Sequence, residues 1–202
     1  DGYFFLLFCP LATRQKLAIT MREKTYKTET IILARRNIGE ADRLLTVFSK
    51  HYGKLRVIAK GVRRPTSRKR GSLELFACVR LFLVKGKTFD IVTETEIKEN
   101  FNSWRGNLLR VGIAYHFAEV VSKLTRENQE HRRVYMLLQD ALLRLHRINY
   151  WQLHNFISEF KRQVLIELGF LGRSKEEKEL DDYIEELSQS KLKTKRFLHS
   201  LS

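Results

Sequence analysis

Cysteine and proline are almost missing from this chain. The two cysteines, Cys9 and Cys78, are too few for a four-thiolate zinc site and make no disulfide scaffold. Such usage fits a reducing cytoplasm. The two prolines are Pro10 and Pro65. A second half without proline suits helices, whose interior turns proline breaks. No apolar run reaches 18 residues, so no transmembrane helix is expected. The most local absence is of acid: no Asp or Glu occurs between Arg43 and Leu73. What is present is enough to fold. With 43% hydrophobic residues in 202, the chain can bury a core, and general disorder is excluded.

The acid-free stretch of 31 residues holds ten basic ones: Arg43, Lys50, Lys54, Arg56, Lys60, Arg63, Arg64, Arg68, Lys69 and Arg70. It therefore carries ten of the 15 net positive charges. Its densest part, Gly61 to Gly71 (GVRRPTSRKRG), is a loop by composition. Like charges so close together repel unless a polyanion neutralises them, and such a loop can reach around a phosphate backbone. A solvated loop without a ligand is the bland alternative. Membrane headgroups are a competing anion, but the loop lacks an adjacent apolar helical face with Trp or Phe.

The hydrophobic period changes near residue 100. Before it, five short segments read as strands: Thr28 to Arg35, Leu44 to Ser49, Leu55 to Lys60, Leu73 to Val84 and Phe89 to Ile97. In the third, Leu55, Val57 and Ala59 share one face. A turn at His51-Tyr52-Gly53 and a hairpin turn at Lys85 to Lys87 separate neighbours. Five strands at this size favour an OB-type barrel over an immunoglobulin-like sandwich. After Trp104 the spacing becomes helical. Leu108 to Leu124, Val134 to Leu145, Tyr150 to Leu168, Glu176 to Leu187 and Lys191 to Leu198 read as helices, with Gly169 a stop. The fold class is α+β, an N-terminal five-stranded OB-fold barrel followed by an α-helical bundle. Residues 1–20 read as a leader or upstream remnant before Met21, with an ordered N-terminal element or a membrane-surface anchor as alternatives. Residues 21–100 read as the nucleic-acid-binding barrel and 101–202 as the helical domain.

Motifs of catalysis fail on inspection. Gly86-Lys87-Thr88 ends like a phosphate-binding loop, but Leu81 stands where its first glycine belongs. There is no nucleophile elbow, HExxH or paired-carboxylate pattern. The six histidines, at 51, 116, 131, 146, 154 and 199, are dispersed and suit surface or satisfied core roles. Asp42 beside Arg43 reads as a structural pair at a strand start. Tyr52, Phe76, Phe82 and Phe89 could stack nucleobases on a barrel. Phenylalanine in a strand is usually core, and Tyr52, at a turn, is the better candidate for exposure.

The segment Ile38-Gly39-Glu40-Ala41-Asp42-Arg43-Leu44-Leu45-Thr46-Val47-Phe48-Ser49, then Tyr52-Gly53-Lys54-Leu55, then Ala59-Lys60-Gly61-Val62-Arg63-Arg64 and Ser67, resembles the N-terminal module of the bacterial RecO family of recombination mediators. Leu168-Gly169-Phe170 and the basic Lys191 to Leu198 are similar to its later segments. The resemblance runs from Lys24 to Leu198. It implies binding of single- and double-stranded DNA, annealing of complementary strands, partnership with RecR and help in loading RecA. It also implies contact with the acidic tail of single-stranded-DNA-binding protein, a nucleoid-associated place in the bacterial cytoplasm, no membrane, no cofactor and no catalysis. Many members carry a four-cysteine zinc motif after the Leu-Gly-Phe segment. Here no cysteine follows Cys78, so zinc is not expected. Seven of the eleven residues from Glu176 to Glu186 are acidic, so that element should face away from DNA.

The expected DNA contacts are Arg43, Lys54, Arg56, Lys60, Arg63, Arg64, Arg68, Lys69 and Arg70, with Tyr52 as the stacking residue. Arg132, Arg133, Lys161 and Arg162, near Phe156 and Phe160, are the candidates for receiving the partner's acidic, apolar-ended tail. Ordinary exposed helix charge is the simpler account of any one of them. An RNA-binding OB module of translation or ribosome assembly would have the same electrostatics and stands as the alternative function.

Overall fold

The computed structural model describes residues 24–172 and 179–199; the expected leader, the start of the acidic segment at 176–178 and the last three residues lie outside them. Five strands run β1 (Thr25–Ile38), β2 (Asp42–Ser49), β3 (Gly53–Ala59), β4 (Cys78–Val84) and β5 (Asp90–Glu99). They close in the order β1-β2-β3-β5-β4, the five-stranded OB-type barrel. Closure depends on the length of β1. Its first half pairs with β4 from Thr25↔Val84 to Ile31↔Cys78, and its second half pairs with β2 from Thr30↔Ser49 to Ile38↔Asp42. A register shift between Ile32 and Ala34 supplies the bend that a strand shared by both walls requires. The seam is parallel and short, Val57↔Asp90 and Ile58↔Ile91.

Strand alternation builds two cores from one sheet. Ile32, Leu45, Val47, Leu55, Val57, Ala59, Val79, Leu81 and Val92 point into the barrel and are buried there. Ile31, Leu33, Phe48 and Cys78 point outward and are equally buried, because the helices cover them. The expected start of the fourth strand is corrected. Leu73 is buried in the barrel core, but the residues before Cys78 are irregular and Phe76 has a φ of 65°, which breaks a ladder. Phe76 packs edge-on against Tyr115 at 4.9 Å and lies 6.0 Å from Trp104, so it is core.

The helices are α1 (Asn102–Arg105), α2 (Leu108–Leu124), α3 (Arg132–Arg144), α4 (Leu153–Glu167), α5 (Leu180–Ser188) and α6 (Lys195–His199), with a 3₁₀ turn at Tyr150–Gln152. Helix α2 is central: it packs against every other α-helix described and against β1. Its buried residues, among them Ile113, His116, Phe117, Val120 and Val121, surround most of its circumference. Helix α4 ends at Gly169, whose φ of 78° is accessible to glycine at little cost. Bonds from the Gly169 amide to Ile166 and from the Phe170 amide to Leu165 complete a Schellman stop. No described helix is long and apolar enough to cross a membrane.

Candidate nucleic-acid interface

The basic loop leaves the end of β3 and returns to β4. It is a chain of tight turns: Arg64 N–H to Gly61, Ser67 to Arg64, Arg70 to Ser67 and Ser72 to Lys69, at 3.0–3.3 Å. Its two ends are anchored by Val62 and Leu73, both fully buried in the barrel. Gly61, at a φ of 64°, donates its amide to Asp42 Oδ1 at 2.8 Å. Asp42 is therefore structural, but its partner is the loop and not Arg43. Ser72 hydroxyl bonds Thr95 at 2.6 Å, and Lys69 Nζ donates to the Val92 carbonyl at 3.0 Å. A loop held this way keeps its backbone in place without binding a ligand, so less backbone entropy is lost when one arrives.

The expected contacts separate into three groups. Lys60, Arg64, Arg68 and Arg70 are exposed, and among the described residues their side chains make no ion pair. Arg63 is exposed too, with Nη1 donating to the Gly39 carbonyl at 3.1 Å. Lys69 is half-buried and is likewise bonded to a carbonyl, so no described carboxylate neutralises either charge. Three others are committed to partners within the protein. Arg43 retains only 15% of its side-chain exposure, lies 3.6 Å from Glu74 and bonds Asn37. Lys54 donates to the Ser122 carbonyl at the end of α2. Burial pushes its ammonium below the ordinary lysine range, against the pull of Glu127. Arg56 grips Glu127 through two bonds, at 2.8 and 3.1 Å, and sits 5.8 Å over the Phe89 ring. Lys54 and Arg56 thus hold the barrel to the α2–α3 connection. That connection reinforces itself: Asn128 N–H donates to the Lys54 carbonyl at 2.9 Å.

Tyr52 is 43% exposed but does not adjoin the loop. It sits before β3, while the loop follows β3, and the seven residues of Gly53–Ala59 put about 20 Å between them. Its ring packs against Tyr26 at 4.8 Å over an open cleft of about 450 Å³ that also takes in His51, Lys85, Asp90 and Asn128. The Tyr26 hydroxyl bonds Asp90, and burial together with that carboxylate pushes the phenol above its ordinary range. Phe82 and Phe89 are partly exposed.

The four helical-domain candidates differ in exposure. Arg132 and Arg133 open α3 and are exposed; Arg133 lies 3.4 Å from Glu167. Arg162 is half-buried. Lys161 is 7% exposed, with Nζ 2.8 Å from Asp181 Oδ1. It belongs to an interior cluster that the sequence reading missed. His116 Nδ1 bonds Thr194 Oγ1 at 2.8 Å, and its Nε2 lies 3.8 Å from Asp181. Glu119 accepts from the Lys193 and Thr194 amides at 2.8 and 3.0 Å. Burial, and after it the Lys161 ammonium, pushes His116 down to about 4, over the opposing pulls of Asp181 and Glu119. Lys161 is thus a tie between α4 and α5, withdrawn from the surface where a partner would meet it.

Comparison with known proteins agrees with this architecture. Residues 21–101 match the family described as Recombination protein O N terminal, and residues 105–171 match Recombination protein O C terminal. DNA repair protein RecO of Pelotomaculum thermopropionicum is 40% identical over 119 residues, 59% of this chain and 46% of its own length. DNA repair protein RecO of Roseiflexus sp. is 40% identical over 122 residues, 60% of this chain and 43% of its own. That of Thermoanaerobacter sp. is 31% identical over 145 residues, 72% of this chain and 58% of its own. The chain spans about half the length of the curated relatives it matches. With both halves of the family matched in order, the barrel by the first and the helices by the second, the chain belongs to the RecO family of DNA repair proteins.

Proposed function

We propose that this chain binds single- and double-stranded DNA through the loop between β3 and β4, and that it brings complementary strands together for annealing as a binding protein. One observation carries the reading: Lys60, Arg63, Arg64, Arg68, Lys69 and Arg70 face no described carboxylate, on a loop fixed at both ends. Such charge attracts phosphates and releases their condensed counterions. Contacts to phosphate carry no sequence information, which suits a mediator that must accept any sequence. Two polyanions on one cationic surface repel each other less, so their bases can pair. As the resemblance implies, the handover partners are RecR, RecA and the acidic tail of single-stranded-DNA-binding protein. Arg132 and Arg133 are the remaining exposed cations for that tail.

The test is annealing of complementary DNA strands, bare and coated with single-stranded-DNA-binding protein, with matched RNA strands as competitors. Annealing of coated strands that RNA competes for poorly supports the reading. No acceleration over the spontaneous rate, or preferential RNA binding, overturns it in favour of an RNA-binding module.

A further inference from the structure

The most exposed large apolar side chains of the described residues lie on the helical domain, on elements other than the basic loop. Leu108 and Trp151 are each 78% exposed and Tyr150 is 61% exposed. Asn107 Nδ2 donates to the Tyr150 hydroxyl at 3.1 Å, which places the start of α2 against the 3₁₀ turn. Arg110 fastens the same two segments: it donates to the Leu145 carbonyl and, at 3.0 Å, to the Ile148 carbonyl. Its guanidinium also lies 5.9 Å over the Tyr150 ring. Asn149 and Gln152 close a capping box around the turn. The aromatic pair therefore projects from a pinned backbone.

The two segments that carry it hold only basic charges. No acidic residue occurs from Asn100 to Ala118 or from Ala141 to Ser158, the two segments that meet here. They bring Arg105, Arg110, Arg144 and Arg147; Arg144 pairs with Asp140 and Arg105 feels Glu74, while Arg110 and Arg147 make no described ion pair. Side chains at 78% exposure stand out from the surface. A groove that received a peptide would hold them partly covered. Protruding aromatics on segments whose own charges are all basic match the chemistry of unpaired nucleobases, which stack on aromatic faces while cations track the backbone.

We propose that Trp151, supported by Tyr150 and Leu108, is a stacking platform for single-stranded nucleic acid on the helical domain, separate from the basic loop. One chain would then hold one strand on the loop and a second, with its bases splayed, on the platform.

The chain itself provides the probe. Its tryptophans are Trp104 and Trp151. Trp104 is 1% exposed, with Nε1 bonded to the Leu142 carbonyl at 2.9 Å, so surface quenchers reach Trp151 alone. The experiment titrates the full chain with a thymidine homo-oligomer and reads tryptophan emission. It uses wild type, Trp151→Ala, and a loop variant with Arg63, Arg64, Arg68, Lys69 and Arg70 all changed to Ala. The expected result is quenching in wild type that persists in the loop variant and vanishes in Trp151→Ala. In the loop background, adding Trp151→Ala should weaken binding of the oligomer, read by anisotropy, about 5- to 100-fold, the loss of one base–aromatic stack. Three results overturn the proposal: no quenching by the oligomer, quenching that survives Trp151→Ala, or quenching by anionic lipid vesicles or an acidic peptide in place of DNA. Loss of loop binding alone leaves the platform standing, and failure of the platform leaves the loop reading intact.

Discussion

Acidification from pH 7 to pH 5 should weaken the fold by about 2 kcal/mol through one histidine. His116 has no exposed surface; desolvation and the facing Lys161 ammonium hold its folded pKa at about 4, against an ordinary 6.5. The groups around it are Lys161, Asp181, Glu119 and Thr194. In the unfolded chain the imidazole takes up its proton as pH falls through 6.5, whereas in the folded chain it stays neutral until about 4. Between those values the unfolded state binds more protons, so unfolding becomes easier as pH falls. Stability is fully present above the unfolded value and is lost progressively towards the folded one. At about 1.4 kcal/mol per pKa unit, about 1.5 units of that gap are used by pH 5. The assay is urea unfolding at pH 7, 6 and 5 for wild type and His116→Gln, whose amide can still bond Thr194. The difference between the two curves isolates His116 from other histidines, including His131, which burial also lowers. Carboxylates held low by hydrogen bonds, such as Glu119, titrate below this window. Identical pH dependence in the variant would refute the reasoning.

Two further outcomes follow from the contact between barrel and helices. A Cβ on Gly53 would lie 1.7 Å from the Gln129 carbonyl oxygen, at a φ of 66°; Gly53→Ala should therefore destabilise by about 2 kcal/mol or more, measured as a shift in urea midpoint. Glu127→Ala should release Arg56 at a stability change below about 1 kcal/mol, because the pair is roughly half exposed. The freed charge should tighten DNA binding a few-fold at low salt, measured by fluorescence anisotropy.

Legibility of the fold varied with the range of the interaction that decides each element. Leu55, Val57 and Ala59 alternate cleanly and do line the barrel, because a strand buried on one face must show that period. Helix α2 begins and ends where its spacing predicts. The positive φ at Phe76 has no local signal, so the apolar run from Leu73 does not reveal that the fourth strand starts only at Cys78. The basic loop was legible as a run, but composition could not separate committed cations from free ones. Arg56 meets Glu127 across 71 positions, a pairing that only the packed barrel creates. Lys161 and His116 did leave a trace. Lys161 follows Ile157 by four and precedes Val164 by three, and His116 follows Ile113 by three and precedes Val120 by four. Both therefore stand on the buried stripe of their helices. A polar residue on an apolar stripe marks an interior partner.

The central claim is that the loop between β3 and β4 binds phosphates. Its most direct measurement is the affinity for a single-stranded oligomer across a salt series, in wild type and in the variant with Arg63, Arg64, Arg68, Lys69 and Arg70 changed to Ala. Contact with about five phosphates gives a log–log slope of roughly −3 to −4 in wild type. Removing the five cations should flatten it to about −1 or shallower, with unchanged circular dichroism. A wild-type slope near zero, or a variant slope equal to that of wild type, would place DNA binding elsewhere and contradict the account.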